Sequence, residues 1–384
     1  MNSQLADLAG LVWPTSGAVV VTAGPVPPGY RAAERYAVVP GRSGPTFLVP
    51  LAPRAAAGSL TRYGALRPTS VRLARTVLGA GFRIGLAQSL LRDRLTVCIA
   101  EGADPAEHLV VSHLSQVLGR PLHAAIGVRA PDPNYKPTLQ LFASDGSPVA
   151  YAKLGWNRAT RRMGVREAQA LQAMREVSRV RVPRLLHEGE WRGLRLTVTA
   201  PLPPAVRAHR DHGTPPPVAF DRDLRSVSAL SATPYWAGVR REIAGMDDEP
   251  AFAAVLADLA GRLENADPVL EFGRWHGDWV PWNIAWNGPE LHVWDWEHSA
   301  LGVPYGFDRL HWHFQVALVL HRRPLREACQ AVFRAAPEPA LAWLYLLEMA
   351  LRTYRLKREG TGWNPAIHPG LAEVLSEGGV GVGA

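Results

Sequence analysis

Residues 201–217, PLPPAVRAHRDHGTPPP, hold six prolines and divide the chain into two halves of different texture. Proline lacks an amide N–H and has a fixed φ, so neither a helix nor a central strand continues through such a run. The segment reads as a linker or hinge. Upstream, short β-like runs alternate with helical ones. Gly17–Thr22, Tyr36–Val39 and Thr46–Val49 read as strands, each closed by Gly or Pro, and Pro68–Gln88 and Pro105–Leu118 carry helical spacing. From His123 three further strands are expected, at His123–Arg129, Thr138–Phe142 and Pro148–Leu154. A helix over Thr160–Val177 comes next, with Val165, Ala168, Leu171 and Met174 spaced for one buried face. Short strands near Pro183–Leu186 and Leu194–Thr199 complete a small antiparallel sheet. Downstream the pattern is mainly helical, at Pro234–Ala244, Pro250–Glu264, Phe307–His321, Pro324–Ala335 and Pro339–Glu359. No internal repeat is evident, and the Gly-rich tail is expected to be loose.

Bulk properties remove several classes of function. With 47% hydrophobic and 20% charged residues, the 384-residue chain has the composition of a globular protein. The net charge of +8 is carried almost wholly by arginine, without a dense basic run interleaved with aromatics. Anionic phosphate ligands match it better than nucleic acid, which is not expected as a partner. The two cysteines, Cys98 and Cys329, sit in apolar surroundings and suggest neither a disulfide framework nor a zinc site. The N-terminus lacks the layout of a secretion signal, so a cytoplasmic location is expected. The apolar stretch Val71–Leu91 is broken by Arg72, Arg75 and Arg83, which makes it a poor membrane span. It reads as a packed helix with snorkelling arginines, or as a helix lying on a membrane surface.

The stretch richest in chemistry is Trp275–Asp308, WHGDWVPWNIAWNGPELHVWDWEHSALGVPYGFD. Asp278 comes directly after His276 and Gly277, and Asn283 lies five residues further on. After an Asn287-Gly288 turn an apolar strand, Leu291–Trp294, delivers Asp295 and then Glu297. Two carboxylates and an amide oxygen brought to one end of a hairpin can orient a hydroxyl and hold Mg²⁺ against phosphates, because Mg²⁺ takes hard oxygen ligands and few carboxylates.

This ordered set, with His-Gly-Asp, four residues, Asn and a strand ending in Asp-Trp-Glu, resembles the aminoglycoside phosphotransferase and choline kinase family. The resemblance implies a two-lobed, protein-kinase-like α+β fold over about 120–360. A small antiparallel-sheet N-lobe (121–200) would be joined by the hinge to a mainly helical C-lobe (218–360), with a tail from 361 and an extra N-terminal α/β domain over 1–120. It further implies transfer of the γ-phosphoryl group of ATP or GTP to a hydroxyl of a small molecule such as a sugar, amino alcohol or antibiotic. In this pattern Asp278 is the expected base, Asn283 and Asp295 are the Mg²⁺ ligands, and His276 is structural. The family's later Gly-x-Pro…Asp element is present as Gly302, Pro304 and Asp308, with one residue more than usual before the aspartate. Asp308 is expected to cap the next helix and brace the catalytic loop.

Upstream, Val149–Lys153 is a strand ending in lysine, and Glu167 lies on the next helix. Kinase-like sites use such a lysine on the nucleotide phosphates and such a glutamate to fix it. A Gly-rich phosphate loop is missing; Ala130–Pro137 and Ser144–Ser147 are its candidate positions, and Thr199–Leu202 is the expected hinge contact for the base. The tryptophans around the catalytic segment read as core or as walls of an acceptor pocket, and His311 and His313 as helix residues pointing to different faces. Alternative readings keep the same chemistry on a precursor peptide gripped by an exposed strand edge, or a nucleotide-binding pseudokinase.

Overall fold

The computed structural model describes residues 3–41, 44–91, 93–129, 134–174, 180–218 and 225–377, apart from the side chains of Gln88 and Leu90. The chain divides into two compact units. One comprises Met1–Ala168 with Pro183–Arg207, and the other Gln169–Val182 with Ala208–Ala384. The change of unit at Arg207/Ala208 falls inside the Pro-rich segment.

The first unit is built on one antiparallel sheet of nine strands. They are β1 (Val19–Thr22), β2 (Tyr30–Pro40), β3 (Pro45–Pro50), β4 (Arg94–Ala100), β5 (His123–Gly127), β6 (Thr138–Phe142), β7 (Pro148–Gly155), β8 (Leu185–Trp191) and β9 (Leu194–Thr199). Their spatial order is β1-β4-β2-β3-β5-β6-β7-β9-β8. The boundary expected near residue 120 is not a boundary between units. Strand β3 pairs with β5 through Phe47↔Gly127 and Leu48↔Ile126, so strands from both sides of residue 120 form one sheet. Strand alternation then separates two cores. On one face Leu48, Val97, Ile126, Leu139, Ala152 and Leu196 share a cluster with Leu8 of helix Ser3–Val12 and Leu114 of helix Val110–Val117. On the other, Phe47, Val49, Ala125 and Phe142 meet Ala56, Leu60 and Phe82 from helices Pro53–Thr61 and Thr69–Arg83. At the β1 end the sheet closes with a strand of only four residues.

A register shift between Ala32 and Glu34 in β2 accompanies an inward-lying carboxyl. Glu34 Oε2 accepts from Trp13 Nε1 at 3.1 Å and from the Tyr36 hydroxyl at 2.6 Å. Burial raises its pKa from 4.5 to about 7, against the lowering effect of both hydrogen bonds. The native state therefore binds the extra proton, and folding stability falls as pH rises from 4.5 to about 7, then levels. A loss of about 1–3 kcal/mol across that window is expected. Urea unfolding on either side of it should show the loss in wild type and a shallower one in Glu34→Gln, where Asp308, also raised to about 7, still contributes; an unchanged profile in the variant would remove Glu34 as a cause.

The second unit is mainly helical, with Pro234–Ala244, Pro250–Ala266, Phe307–Gln315, Leu325–Ala335, Pro339–Leu356 and Gly370–Ser376 packed on one apolar cluster. Strand Val269–Trp275 lies between Ser226–Ala229 and Ala300–Pro304 in a three-stranded antiparallel sheet. A hairpin joins Ile284–Asn287 to Glu290–Val293 through the two-residue loop 288–289 with Gly288 at φ 58°; Asn287 pairs with Glu290 at the strand end instead of entering the turn. The architecture is thus α+β, one unit dominated by an antiparallel sheet and the other by helices.

Candidate functional site

Alternation along Val269–Trp275 buries Leu270 and Phe272, and a register shift between Gly273 and Arg274 turns Trp275 inward as well, just before the buried His276. The strand leads into a loop locked by hydrogen bonds. The Asp308 carboxylate accepts from the amides of His276 at 2.7 Å and Gly277 at 3.0 Å. His276 accepts the Asp278 amide at Nδ1 (3.1 Å) and donates from Nε2 to the Trp294 carbonyl (3.0 Å). That pattern needs the neutral ring, and burial pushes the His276 pKa down to about 4 despite the raising influence of Asp278. Gly277 stands at φ 82°, and a Cβ there would lie 2.4 Å from the His298 carbonyl oxygen, so only glycine fits. Burial raises Asp308 to about 7, against the two amide donors. Asp308 holds these two loop amides and does not cap its helix, whose N-cap is Gly306.

Asp278 emerges from this frame with both carboxylate oxygens tethered. Asn283 donates its side-chain N–H to Asp278 Oδ2 at 2.8 Å and to the Asp278 carbonyl at 3.1 Å. His311, fully buried, donates from Nε2 to Asp278 Oδ1 at 3.1 Å, and its Nδ1 accepts from the Tyr345 hydroxyl at 2.9 Å. Arg352 donates to the Gly277 carbonyl at 2.6 Å. Burial alone would raise the Asp278 pKa, but the His311 hydrogen bond and the nearby Arg352 guanidinium outweigh it and hold it at about 2. The group is an anion at any physiological pH.

Sequence reasoning places His311 on a helix and gives no site role to it, to Tyr345 or to Arg352. The three lie 33 to 74 residues after Asp278 on two helices, and only tertiary packing brings them in. His313 is half-buried and takes no place in the cluster.

Asp295 stands just past the hairpin. The Trp294 amide donates to the Asn283 carbonyl at 3.2 Å, which sets Asp295 beside the asparagine. Its φ is 71°, a left-handed conformation that L residues adopt at a cost of about 1–2 kcal/mol. Such strain concentrates where a side chain must be aimed. Glu297 is buried, with Oε1 3.5 Å from His298 Nε2. Trp279, Trp296 and Trp312 are wholly buried and serve as core, whereas Trp282 is exposed. Part of the Pro-rich segment is tied down here. His209 accepts from Trp286 Nε1 at 3.0 Å and meets the Trp312 ring edge-on, while Trp312 Nε1 donates to the His212 carbonyl at 2.9 Å.

In the sheet unit, Lys153 on β7 and Glu167 on helix Arg158–Met174 form a two-pronged ion pair at 2.7 and 2.8 Å. Glu167 is buried and the lysine head is partly open to solvent. Of the two candidate phosphate loops, residues 130–133 lie outside the described residues. In the Ser144–Ser147 turn Gly146, at φ 85°, lies against the Arg54 carbonyl, while Ser144 and Asp145 are exposed. In the expected hinge contact, the Leu202 carbonyl already accepts from the Tyr63 hydroxyl at 2.6 Å.

No protein-family model matches the chain, and no curated protein does. Among solved structures it is similar to aminoglycoside phosphotransferase APH(4)-Ia in a complex with ADP and hygromycin B, at 14% identity and a TM-score of 0.46, over 71% of this chain and 99% of that one. It is also similar to macrolide 2'-phosphotransferase MphH from Brachybacterium faecium (18% identity, TM-score 0.36, 67% and 96% covered). A third likeness is to spectinomycin phosphotransferase APH(9)-Ia with ADP and spectinomycin (12%, 0.35, 70% and 93%). All three are phosphotransferases, the group that the motifs of Trp275–Asp308 resemble.

Proposed function

We propose that the protein transfers the terminal phosphoryl group of ATP or GTP to a hydroxyl of a small molecule, with Asp278 as the group that receives the hydroxyl. The observation that carries this reading is the tethering of Asp278 by Asn283 and His311 as a permanent anion. A carboxylate this weakly basic orients the hydroxyl through a hydrogen bond and takes its proton only as the new P–O bond forms. That timing suits the loose transition state of phosphoryl transfer, in which the nucleophile needs little prior deprotonation.

The donor set also fits a magnesium ion. Asn283 spends its N–H on Asp278, which leaves the amide oxygen as its remaining polar atom. Asp295 supplies a carboxylate on a strained, aimed backbone. Hard oxygen donors of this kind, few in number, are what Mg²⁺ takes. Bound there, the ion would neutralise charge on the nucleotide phosphates. Lys153 is assigned to the phosphates as well, with Glu167 holding its head group in place. Gly277, His276 and Asp308 do no chemistry in this reading and keep the loop in shape.

Thermal unfolding with Mg-ATP and Mg-GTP tests the nucleotide part. Wild type should be stabilised by at least one of them. Lys153→Arg keeps the charge against Glu167 but replaces a compact ammonium by a planar fork. Its apparent nucleotide affinity should fall roughly 10- to 100-fold, the loss of one charge-assisted hydrogen bond. Equal affinity in the variant would remove Lys153 from the phosphate role.

A further inference from the structure

From Arg35 to Arg92 the chain contains nine arginines and no aspartate, glutamate or lysine; Glu34 and Asp93 flank the run. Its longest helix, Thr69–Arg83, is held on the sheet unit by one face only. Phe82 is buried in the core, and a Cβ on Gly79 would come within 2.9 Å of the Thr61 side chain, so two helices press together there. Arg75 lies on the inner side with its guanidinium 4.9 Å from the centre of the Phe47 ring. The outer side is the reverse of what solvent selects. Leu73 and Val77 are each 65% exposed, and Ile84, at the C-cap, is 76% exposed, with Leu86 just beyond at 54%. Positions 73, 77 and 84 recur with helical period, so they form one outward ridge. Arg72 and Arg83 are exposed and project from the flank of the same helix.

Scattered apolar residues on a surface need no explanation, but an apolar ridge along a whole helix flanked by one sign of charge does. We infer that this helix is a docking face for an anionic membrane surface, with Leu73, Val77, Ile84 and Leu86 entering the acyl boundary and Arg72 and Arg83 at the level of the headgroups. Three features favour a bilayer. The ridge is the convex outer side of a helix, which a deformable phase accommodates without a matching groove. Apolar residues with flanking arginines are the pattern of helices lying in an interface plane. Arg72 and Arg83 beside the ridge, in a stretch of sequence without an acidic residue from Arg35 to Arg92, complement anionic lipid, whereas a second copy of the chain would bring arginine against arginine. The helix does not span the membrane; among the described residues no helix is long and apolar enough to cross one. Membrane docking and phosphoryl transfer are independent here, and neither needs the other.

Flotation of the full chain with phosphatidylcholine vesicles, with and without one-third phosphatidylglycerol, tests the assignment. Wild type should float with the anionic vesicles at low salt and be released by high salt. Leu73→Gln with Val77→Gln, and separately Arg72→Gln with Arg83→Gln, should each weaken binding at least about tenfold. All four positions are outside the core, so thermal midpoints should match wild type and exclude misfolding as the cause. Three results would overturn the inference. The first is absence of wild-type binding. The second is equal binding by the variants. The third is retention on poly-glutamate without vesicle binding, which would reassign the face to an acidic protein partner.

Discussion

Replacing Asp278 by alanine is expected to lower phosphoryl-transfer turnover by about 10²–10⁴-fold, the range for loss of a positioned general base. The fold should survive. The loop around residue 278 is held by backbone contacts, from Asp308 to the amides of His276 and Gly277 and from Arg352 to the Gly277 carbonyl, none of which uses the Asp278 side chain. What the variant loses are the hydrogen bonds from Asn283 and His311 to the carboxylate, a cost of about 1–3 kcal/mol if both donors stay dry. Asp278→Asn makes the sharper test, because it keeps shape and volume while removing the charge and turning one of the two accepting oxygens into a donor. Turnover should fall in both variants while the thermal midpoint drops by no more than that cost allows. Near-normal turnover in either would take Asp278 out of the reaction.

Asp295→Asn should abolish the magnesium-dependent part of nucleotide binding. At nucleotide about 100 times its dissociation constant, wild type gains about 2.7 kcal/mol of stability, and the variant should gain none of the magnesium-dependent share. Asparagine tolerates the left-handed conformation that Asp295 adopts, so the variant without nucleotide should unfold at the wild-type midpoint. Asp295→Gly removes the side chain entirely, and glycine also adopts this conformation without strain, so this variant should likewise lose the magnesium-dependent shift. An unchanged Mg-nucleotide affinity in both variants would sink the ligand assignment.

What the sequence makes legible depends on distance along the chain. His276, Asp278, Asn283 and Asp295 sit on one short strand-loop-hairpin, and their mutual placement comes from local turn chemistry at Gly277 and Gly288. Lys153 and Glu167 are fourteen residues apart, on a strand and the helix after it, which periodicity can place. Thr138–Phe142, Leu194–Thr199 and Pro234–Ala244 are legible for the same reason. Strand β4 is not, because RLTVCIA carries only seven residues of signal next to an arginine-rich helical run. The His311–Asp278 and Tyr345–His311 contacts span more than thirty residues each, and no spacing rule encodes them. The joining of β3 to β5 is equally hidden. It rests on two residue pairs separated by 78 and 80 positions, so it is a product of burial on both faces rather than of any turn.

That short seam between β3 and β5 sets the smallest piece of this protein that can exist alone. A chain trimmed to start at His123 would bare the ladder edge of β5 and uncover Ala124, Ile126 and Leu139, which share their core with Val38, Leu48 and Val97. Bare edges of that kind template aggregation. The strand that carries Lys153 is therefore expected to have no soluble minimal form, and engineers who graft, swap or shorten this scaffold must carry the leading hundred residues along as part of the plate itself.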